Sequence, residues 1–326
     1  MRDTILTFLR KHEGEFVSGQ DMSDACKVSR TAIWKHIKVL RQQGYKIESY
    51  TKRGYRLLAE PDLLSPLEMQ KILTTDVIGH NYVYFDKHES TNEEAKKLAN
   101  AGAVEGTLVV TEEQSAGKGR LNRGWYSPYR KGLWFSVILR PDFLPMEAPK
   151  CTLMAAVALT KAFHKIGLTQ AGIKWPNDIL VNGRKLVGIL TEMNSTMEEI
   201  NYIVMGIGVN ILTTLEEFPD ELQPIATSFA VEGVEVERKI AFNTVLEELE
   251  NAYFRVLDEG FDGILDEWKT LSVTLGQDVE VRAPNETYTG KAIDLDRDGN
   301  LLVQTVDGHI ERIVAGDVSI RPAHKE

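Results

Sequence analysis

A change of hydrophobic period divides this chain. Ahead of a proline-punctuated stretch, "AEPDLLSPLEMQ", apolar residues recur at helical spacing, and from Tyr82 onward they run in strand-length blocks. One layer architecture cannot serve both patterns, so an α+β, multidomain fold is expected. At 326 residues the chain has length for two or three domains, each with a core of its own. The reading places a helical domain at 1–60, a linker at 61–80, a mixed α/β domain at 81–268 and a small β domain at 269–326.

Charge changes over the same boundary. Residues 1–60 hold twelve Lys and Arg against seven Asp and Glu, a net +5, while the other 266 hold 26 against 41, a net −15. A basic segment on an acidic body points to a polyanion partner for that segment alone. The longest weakly polar window, "CTLMAAVALTKAF", is interrupted by Lys161 and is shorter than the roughly 20 residues of a bilayer span. The first residues carry no secretion-signal pattern. A cytoplasmic protein without membrane contact is therefore expected. Cys26 and Cys151 lack paired spacing, which argues against a disulfide framework or a thiolate metal site, and both are read as buried and reduced.

Within the basic segment, "ILTFLRKH" puts Ile5, Leu6, Phe8 and Leu9 on one helical face, and "SGQDMSDACKV" reads as a second short helix led by Ser18. A third helix starts at a Ser29 N-cap, spaces Ile33, Ile37 and Leu40 along one stripe, and stops at Gly44. Its Arg30, Lys35, His36, Lys38 and Arg41 lie off that stripe. "YKIESYTKRGYRLL" then reads as a hairpin with a basic tip. Three helices and a basic hairpin form a winged helix-turn-helix. Ser29, Arg30, Thr31, Trp34, Lys35 and Lys38 on the third helix, with Lys52 and Arg53 on the wing, are the candidate DNA contacts. The bland alternative, a merely solvated helix face, does not account for helix order, hairpin and charge sign together.

Further on, "SAGKGRLNRGWYSP" sets Lys118, Arg120 and Arg123 among glycines, between two predicted strands. Glycines permit close backbone approach, and the alternating cations can converge on one anionic ligand. Phosphate is the obvious candidate, yet GxxxxGK[ST] is absent and so is the Rossmann fingerprint. Taken singly, the neighbouring motifs have structural readings. Ser90 with Glu93 is a capping box, Trp175 and Pro176 form a turn, and Gly206 and Gly208 mark a strand end. The seven histidines show no HxxxH or HExxH spacing, and His88 and His164 are read as surface or packing residues.

Taken in order, "ESTNEEAK", "QSAGKGRLNRGWYSP", "KWPNDILVNGRKLVGILTE" and "GIGVN", behind a winged helix, resemble a bacterial biotin protein ligase of the bifunctional type that also represses the biotin operon. The resemblance covers essentially the whole chain. It implies an α/β catalytic domain that makes biotinyl-5'-AMP from biotin and ATP with Mg²⁺ and passes biotin to a lysine of a biotin carboxyl carrier protein domain. It also implies a homodimer that forms with the adenylate bound and grips operator DNA.

By matching position, the resemblance assigns Ser90, Thr91, Asn92 and Gln114 to biotin, and Lys118, Gly119 and Arg120 to a loop folding over biotin and phosphate. Lys185, which would touch carboxylate and phosphate as they react, is taken with Arg120 and Lys118 as the catalytic set. Gly188 allows backbone approach to biotin. Arg123, Trp125, Asn210 and Arg321 fall near the nucleotide, Asp317 faces the site, and Asp178 is the metal-linked candidate. Where the family loop often reads GRGRRGR, this chain has "GKGRLNR". Lys118 keeps charge without the bidentate fork, and Asn122 still tolerates positive φ. A ligand-sensing regulator without catalysis and a lipoate–protein ligase are the alternative functions.

The last segment alternates in short strands, with turns at Pro284-Asn285, Asp298-Gly299 and Asp307-Gly308. It reads as a small β-barrel, for which the resemblance implies an SH3-like fold. "DLDRDGNLLVQ" lacks the terminal glutamate of a calcium loop, so a hairpin turn is expected there.

Overall fold

The structure, a computed structural model, describes residues 1–282, 287–314 and 317–320. Two compact units divide it, Met1–Leu63 and Leu64–Glu326.

In the first unit, α1 (Arg2–Lys11), α2 (Gly19–Cys26) and α3 (Arg30–Gln42) precede the hairpin strands β1 (Lys46–Tyr50) and β2 (Gly54–Ala59). Ser18 and Ser29 cap α2 and α3, their hydroxyls accepting from Asp21 N and Ala32 N at 3.0 and 3.2 Å. Ile5, Leu6 and Leu9 of α1 and Ile33, Ile37 and Leu40 of α3 are buried, as are Met22 and Cys26 of α2. The face left outside on α3 carries Arg30, Thr31, Trp34, Lys35 and Lys38, and the hairpin tip exposes Lys52 and Arg53. This is the winged helix-turn-helix. At its wing Gly54 has φ +101°, and a Cβ there would lie 1.9 Å from Val17 O.

The second unit opens with α4 (Pro66–Met69) and builds a seven-stranded sheet from β3 (Tyr82–Phe85), β4 (Leu108–Thr111), β5 (Gly132–Leu139), β6 (Gly172–Lys174), β7 (Asp178–Val181), β8 (Arg184–Ser195) and β9 (Ile200–Asn210). The spatial order is β3-β4-β5-β9-β8-β7-β6, with β3 and β4 parallel and every other neighbouring pair antiparallel. Helix α5 (Thr91–Asn100) covers one face, packing Ala95 and Ala99 on Val109, Ile138 and Val204. On the other face lie α6 (Lys150–Lys165) and α7 (Arg238–Glu259), where Phe135 and Phe242 meet edge to face at 4.9 Å. Both faces being covered, all eight positions of β5 are buried, which is why "GLWFSVIL" shows no clean alternation.

After α8 (Asp262–Leu271), the SH3-like C-terminal module contains β10 (Asp278–Arg282), β11 (Thr287–Leu295), β12 (Leu301–Thr305), β13 (Ile310–Ile313) and β14 (Asp317–Ile320). These form an antiparallel sheet ordered β13-β12-β11-β10-β14 among the described residues. Its Val279, Val281, Ala292, Leu301 and Val303 join the same core as α6. The Asp298-Gly299 turn is organised by Asp296, whose carboxylate accepts from Asp298 N and Asn300 N at 2.9 Å each. The Pro284-Asn285 turn lies outside the described residues.

Residues 64–80 are tied to the second unit. Leu64 N donates to Glu112 at 2.7 Å, and the Glu250 carboxylate accepts from Asp76 N, Val77 N and Ile78 N at 2.6, 2.8 and 2.7 Å. Cys26 and Cys151 are both buried and unpaired, and burial pushes the Cys151 thiol up to about 12. No helix among the described residues is long and apolar enough to cross a membrane.

Candidate active site

Three glycines open a cavity of about 500 Å³ on the α5 side of the sheet. Gly188 of β8 pairs with Gly208 of β9, and Gly206 lies two residues before it. A Cβ on Gly206 would sit 1.9 Å from Asn92 Oδ1, and one on Gly208 would sit 2.2 Å from Trp125 Nε1. The strand-end glycines thus create the space that other side chains enter.

At one end, the start of α5 brings Ser90, Thr91 and Asn92 into the cavity, each nearly buried. Ser90 occupies the N-cap position without a side-chain capping bond, so the capping-box reading of this motif does not hold. Instead Thr91 N and Oγ1 both donate to Gln114 Oε1, at 2.9 and 3.2 Å, and Gln114 Nε2 donates to Ser127 Oγ at 2.9 Å. Asn92 is oriented from both sides: Oδ1 accepts from Ser136 Oγ at 2.6 Å, and Nδ2 donates to Glu192 at 2.9 Å. Ser136 of β5 was missed by motif reading. Its signal was a single hydroxyl inside an otherwise apolar strand, where a buried polar group requires a partner.

The basic loop closes on itself as a small hairpin. Trp125 N donates to Gly117 O at 2.9 Å and Gly119 N to Arg123 O at 2.7 Å. A one-turn 3-10 segment, Arg120–Asn122, forms its tip, and the left-handed conformation falls on exposed Leu121 (φ 55°, ψ 36°). The loop directs Arg120 Nη1 to Asn177 Oδ1 at 2.8 Å and Lys118 Nζ to Glu93 at 2.6 Å. Hydrogen bonds from Lys118 and then Lys96 hold the Glu93 carboxyl below its usual range.

Lys185 enters from β8. Its Nζ lies 2.7 Å from Asp178 of β7 and 5.3 Å from the centre of the Trp125 ring, a cation–π distance. The Trp125 indole rests on Gly188 and Gly208, and its buried Nε1 has no hydrogen-bond partner among the described residues. Asn210 is buried at the far end of β9 with Nδ2 donating to Thr227 O at 2.9 Å. The cavity therefore collects Ser90, Thr91, Asn92, Gln114, Lys118, Gly119, Arg120, Arg123, Trp125, Asp178, Lys185, Gly188 and Asn210 from segments spread over 120 residues. Arg321 lies outside the described residues, as does the side chain of Asp317. Asn177 and Lys174, both in the cavity wall, belong to or adjoin a motif already noticed but were not singled out.

The arrangement offers a buried, hydrogen-bonding end and a cationic end along one cavity, suited to an elongated ligand that is polar at one terminus and anionic at the other. Residues 83–210 match the Biotin/lipoate A/B protein ligase family, residues 2–56 an HTH domain and residues 274–321 the Biotin protein ligase C terminal domain. The chain is 40% identical over 321 residues, 98% of each chain, to the Bifunctional ligase/repressor BirA of Bacillus subtilis (strain 168). It belongs to the bifunctional biotin ligase/repressor family. The ligase/repressor BirA of Escherichia coli (strain K12) is 29% identical across 96% of this chain and 95% of that one. Among solved structures of the ligase family, Biotin protein ligase from Aquifex aeolicus in complex with biotin and ATP superposes with a TM-score of 0.64 at 27% identity, covering 74% of this chain and 99% of that one.

Proposed function

We propose that this protein is an ATP-dependent biotin–protein ligase that also acts as a biotinyl-AMP-dependent transcriptional repressor. The observation that carries the catalytic half is that Lys185, Asn177 and Arg120 of the basic loop line one cavity with the polar end, Ser90 to Asn92. Biotin enters with its fused rings toward Thr91, Asn92 and Gln114 and its carboxylate toward Lys185. The carboxylate then attacks the α-phosphate of ATP. Two unit charges about 4 Å apart repel by roughly 4 kcal/mol at an effective dielectric near 20, so the approach needs cations already in place. Lys185 and Arg120 supply them, and preorganised donors of this kind act most strongly on the charge of the transition state.

Lys118 extends the loop's positive charge, Gly119 and Gly188 let backbone approach the ligand, and Arg123, Trp125 and Asn210 take the nucleotide. The buried Trp125 Nε1–H is a donor awaiting an acceptor, which a nucleotide provides. Asp178 is the carboxylate suited to an Mg²⁺ ion that arrives on the phosphates, since such ions keep waters and take one or two protein carboxylates. Bound there, the ion would spread the phosphate charge. The product, biotinyl-5'-AMP, stays under the loop until the lysine of a biotin carboxyl carrier protein takes the biotinyl group.

For repression, exposed Arg30, Thr31, Trp34, Lys35 and Lys38 on α3 enter the major groove, and Lys52 and Arg53 on the wing take the flanking backbone. Ordering of the basic loop by the adenylate favours a homodimer, which presents two winged helices to two operator half-sites. One intermediate then has two fates, transfer when carrier is abundant and repression when it is scarce.

The test is to incubate the protein with ATP, Mg²⁺ and a carrier domain, offering biotin or lipoate and reading the acceptor mass. The expected result is biotin addition that falls by at least about a hundredfold in Lys185→Ala, the scale of removing one charge-stabilising donor. Addition of lipoate alone, or of neither acid, refutes the reading.

A further inference from the structure

Three charged residues outside the cavity wall connect its polar end to the basic loop. Glu93 and Lys96 lie about one turn apart on α5, and Glu192 meets them from β8. Lys96 Nζ is 2.9 Å from Glu93 Oε1 and 2.9 Å from Glu192 Oε1, so two carboxylates share one ammonium evenly. Each carboxylate passes the contact on. Glu93 Oε1 also accepts from Lys118 Nζ of the basic loop at 2.6 Å, and Glu192 Oε2 accepts from Asn92 Nδ2 at 2.9 Å. Lys118 and Asn92 line the cavity, whereas Glu93, Lys96 and Glu192 do not. Partial burial works against the Lys96 charge, but hydrogen bonds to Glu93 and Glu192 hold its ammonium above the usual lysine value.

We propose that Lys96 is a positioning residue that couples the seating of Lys118 on α5 to the orientation of Asn92, and thereby lengthens the retention of biotinyl-5'-AMP; the inference rests on the ligase reading above. The physical reason is the sharing. An isolated, partly exposed ion pair contributes about 1 kcal/mol or less, and three such pairs acting singly would decide little. These do not act singly, because Glu93 uses one oxygen for both lysines and Glu192 divides its two oxygens between Lys96 and Asn92.

With Lys118 seated, Glu93 has two cations and Lys96 stays midway to Glu192. When Lys118 withdraws, Glu93 draws Lys96 toward itself and Glu192 loses its share of the charge. The carboxylate that fixes Asn92 Nδ2 is then loosened, leaving that amide the longer 3.3 Å contact with Leu190 O. The reverse direction has the same sign. A ligand that fixes Asn92 steadies Glu192, Glu192 holds Lys96, and the uncompensated charge on Glu93 attracts Lys118. Coupling of this kind is reciprocal by necessity, so an occupied polar end favours a seated Lys118 and a seated Lys118 favours an occupied polar end. Longer retention of the adenylate shifts its fate from transfer toward repression.

The experiment follows release of labelled biotinyl-5'-AMP from the full chain after a chase with unlabelled biotinyl-5'-AMP. Lys96→Met keeps the aliphatic stem and removes the charge, and is expected to quicken release about fivefold. Lys96→Arg, which can still reach both carboxylates, is expected to stay within about twofold of wild type. A double-mutant cycle separates coupling from general damage. Lys118→Met and Glu192→Ala together are expected to fall short of the product of their single effects by about threefold or more, and in a Lys96→Met background the two effects are expected to multiply. Unchanged release in Lys96→Met, effects that multiply with Lys96 present, or a shortfall that persists without it each overturn the coupling while leaving the ligase intact. A wild-type protein that neither binds biotinyl-5'-AMP nor forms it from biotin and ATP overturns the ligase reading, and the coupling with it.

Discussion

Gly206 shows how much one missing side chain decides. Alanine there would drive a Cβ into Asn92 Oδ1, displacing an amide that Ser136 and Glu192 hold in place. Gly206→Ala is therefore expected to weaken biotin binding at least tenfold, roughly 1.4 kcal/mol, while the denaturation midpoint changes little. Isothermal titration with biotin checks it. Glu93 gives a residue-scale prediction in pH. Its carboxyl is held below the usual glutamate range by Lys118 and Lys96, so the contribution of these contacts is fully present above the unfolded-state value. It is lost only as pH falls through the lower, folded-state value. Carboxyl NMR should find Glu93 titrating below an exposed glutamate of the same chain, and Lys118→Ala should move it back upward.

Among the elements, α7 and the base of the basic loop depend on one buried pair. Arg238 Nη2 lies 2.7 Å from Glu112, both fully buried, while Nη1 donates to Gly132 O at 2.9 Å where β5 begins. Burying two charges in this way is weak evidence for net stability, but removing one partner strands the other. Arg238→Met is expected to lower unfolding free energy by about 3–5 kcal/mol in urea titration, and a double variant that also removes Glu112 should recover part of it. In the winged helix, the Phe16 ring carries the guanidinium groups of Arg53 and Arg56 at 4.7 and 4.6 Å. Those contacts hold the wing-tip cation in place. Phe16→Ala should weaken operator binding several-fold at unchanged helicity, as a gel-shift titration with circular dichroism would reveal.

At the scale of the whole molecule, the two halves of the activity should separate in their response to salt. Operator binding by a net-positive first segment releases counterions, so its affinity is expected to fall about 10³-fold or more between 50 and 200 mM salt if six or more phosphates are contacted. Adenylate formation, which brings its charges together inside the cavity and not on an open surface, should change far less. Parallel fluorescence-anisotropy and pyrophosphate-release titrations would measure both. Sedimentation with and without biotinyl-5'-AMP tests the dimer: the expected outcome is tighter self-association with the adenylate bound.

Much of this was legible in the amino-acid order. Period and capping alone placed α1, α2, α3 and the wing, because a small helical unit buries one stripe per helix and leaves the opposite faces to solvent. The order of the motifs disclosed the family, since STN, the basic loop, KWPND and GIGVN each carry chemistry in their residue types. What sequence could not supply was adjacency. That Ser90 makes no side-chain cap, while Gln114 takes the donors of Thr91 from 23 residues on, follows only from the tertiary fold. Ser136, Glu112 and Arg238 acquire their partners from 44 to 126 residues away through the order β3-β4-β5-β9-β8-β7-β6. Local patterns determine which face of an element turns inward, because that depends on 3.6-residue and two-residue periods. Only the tertiary structure decides which inward faces meet, because strand order is set by packing the whole sheet at once, and the site lies across those strands.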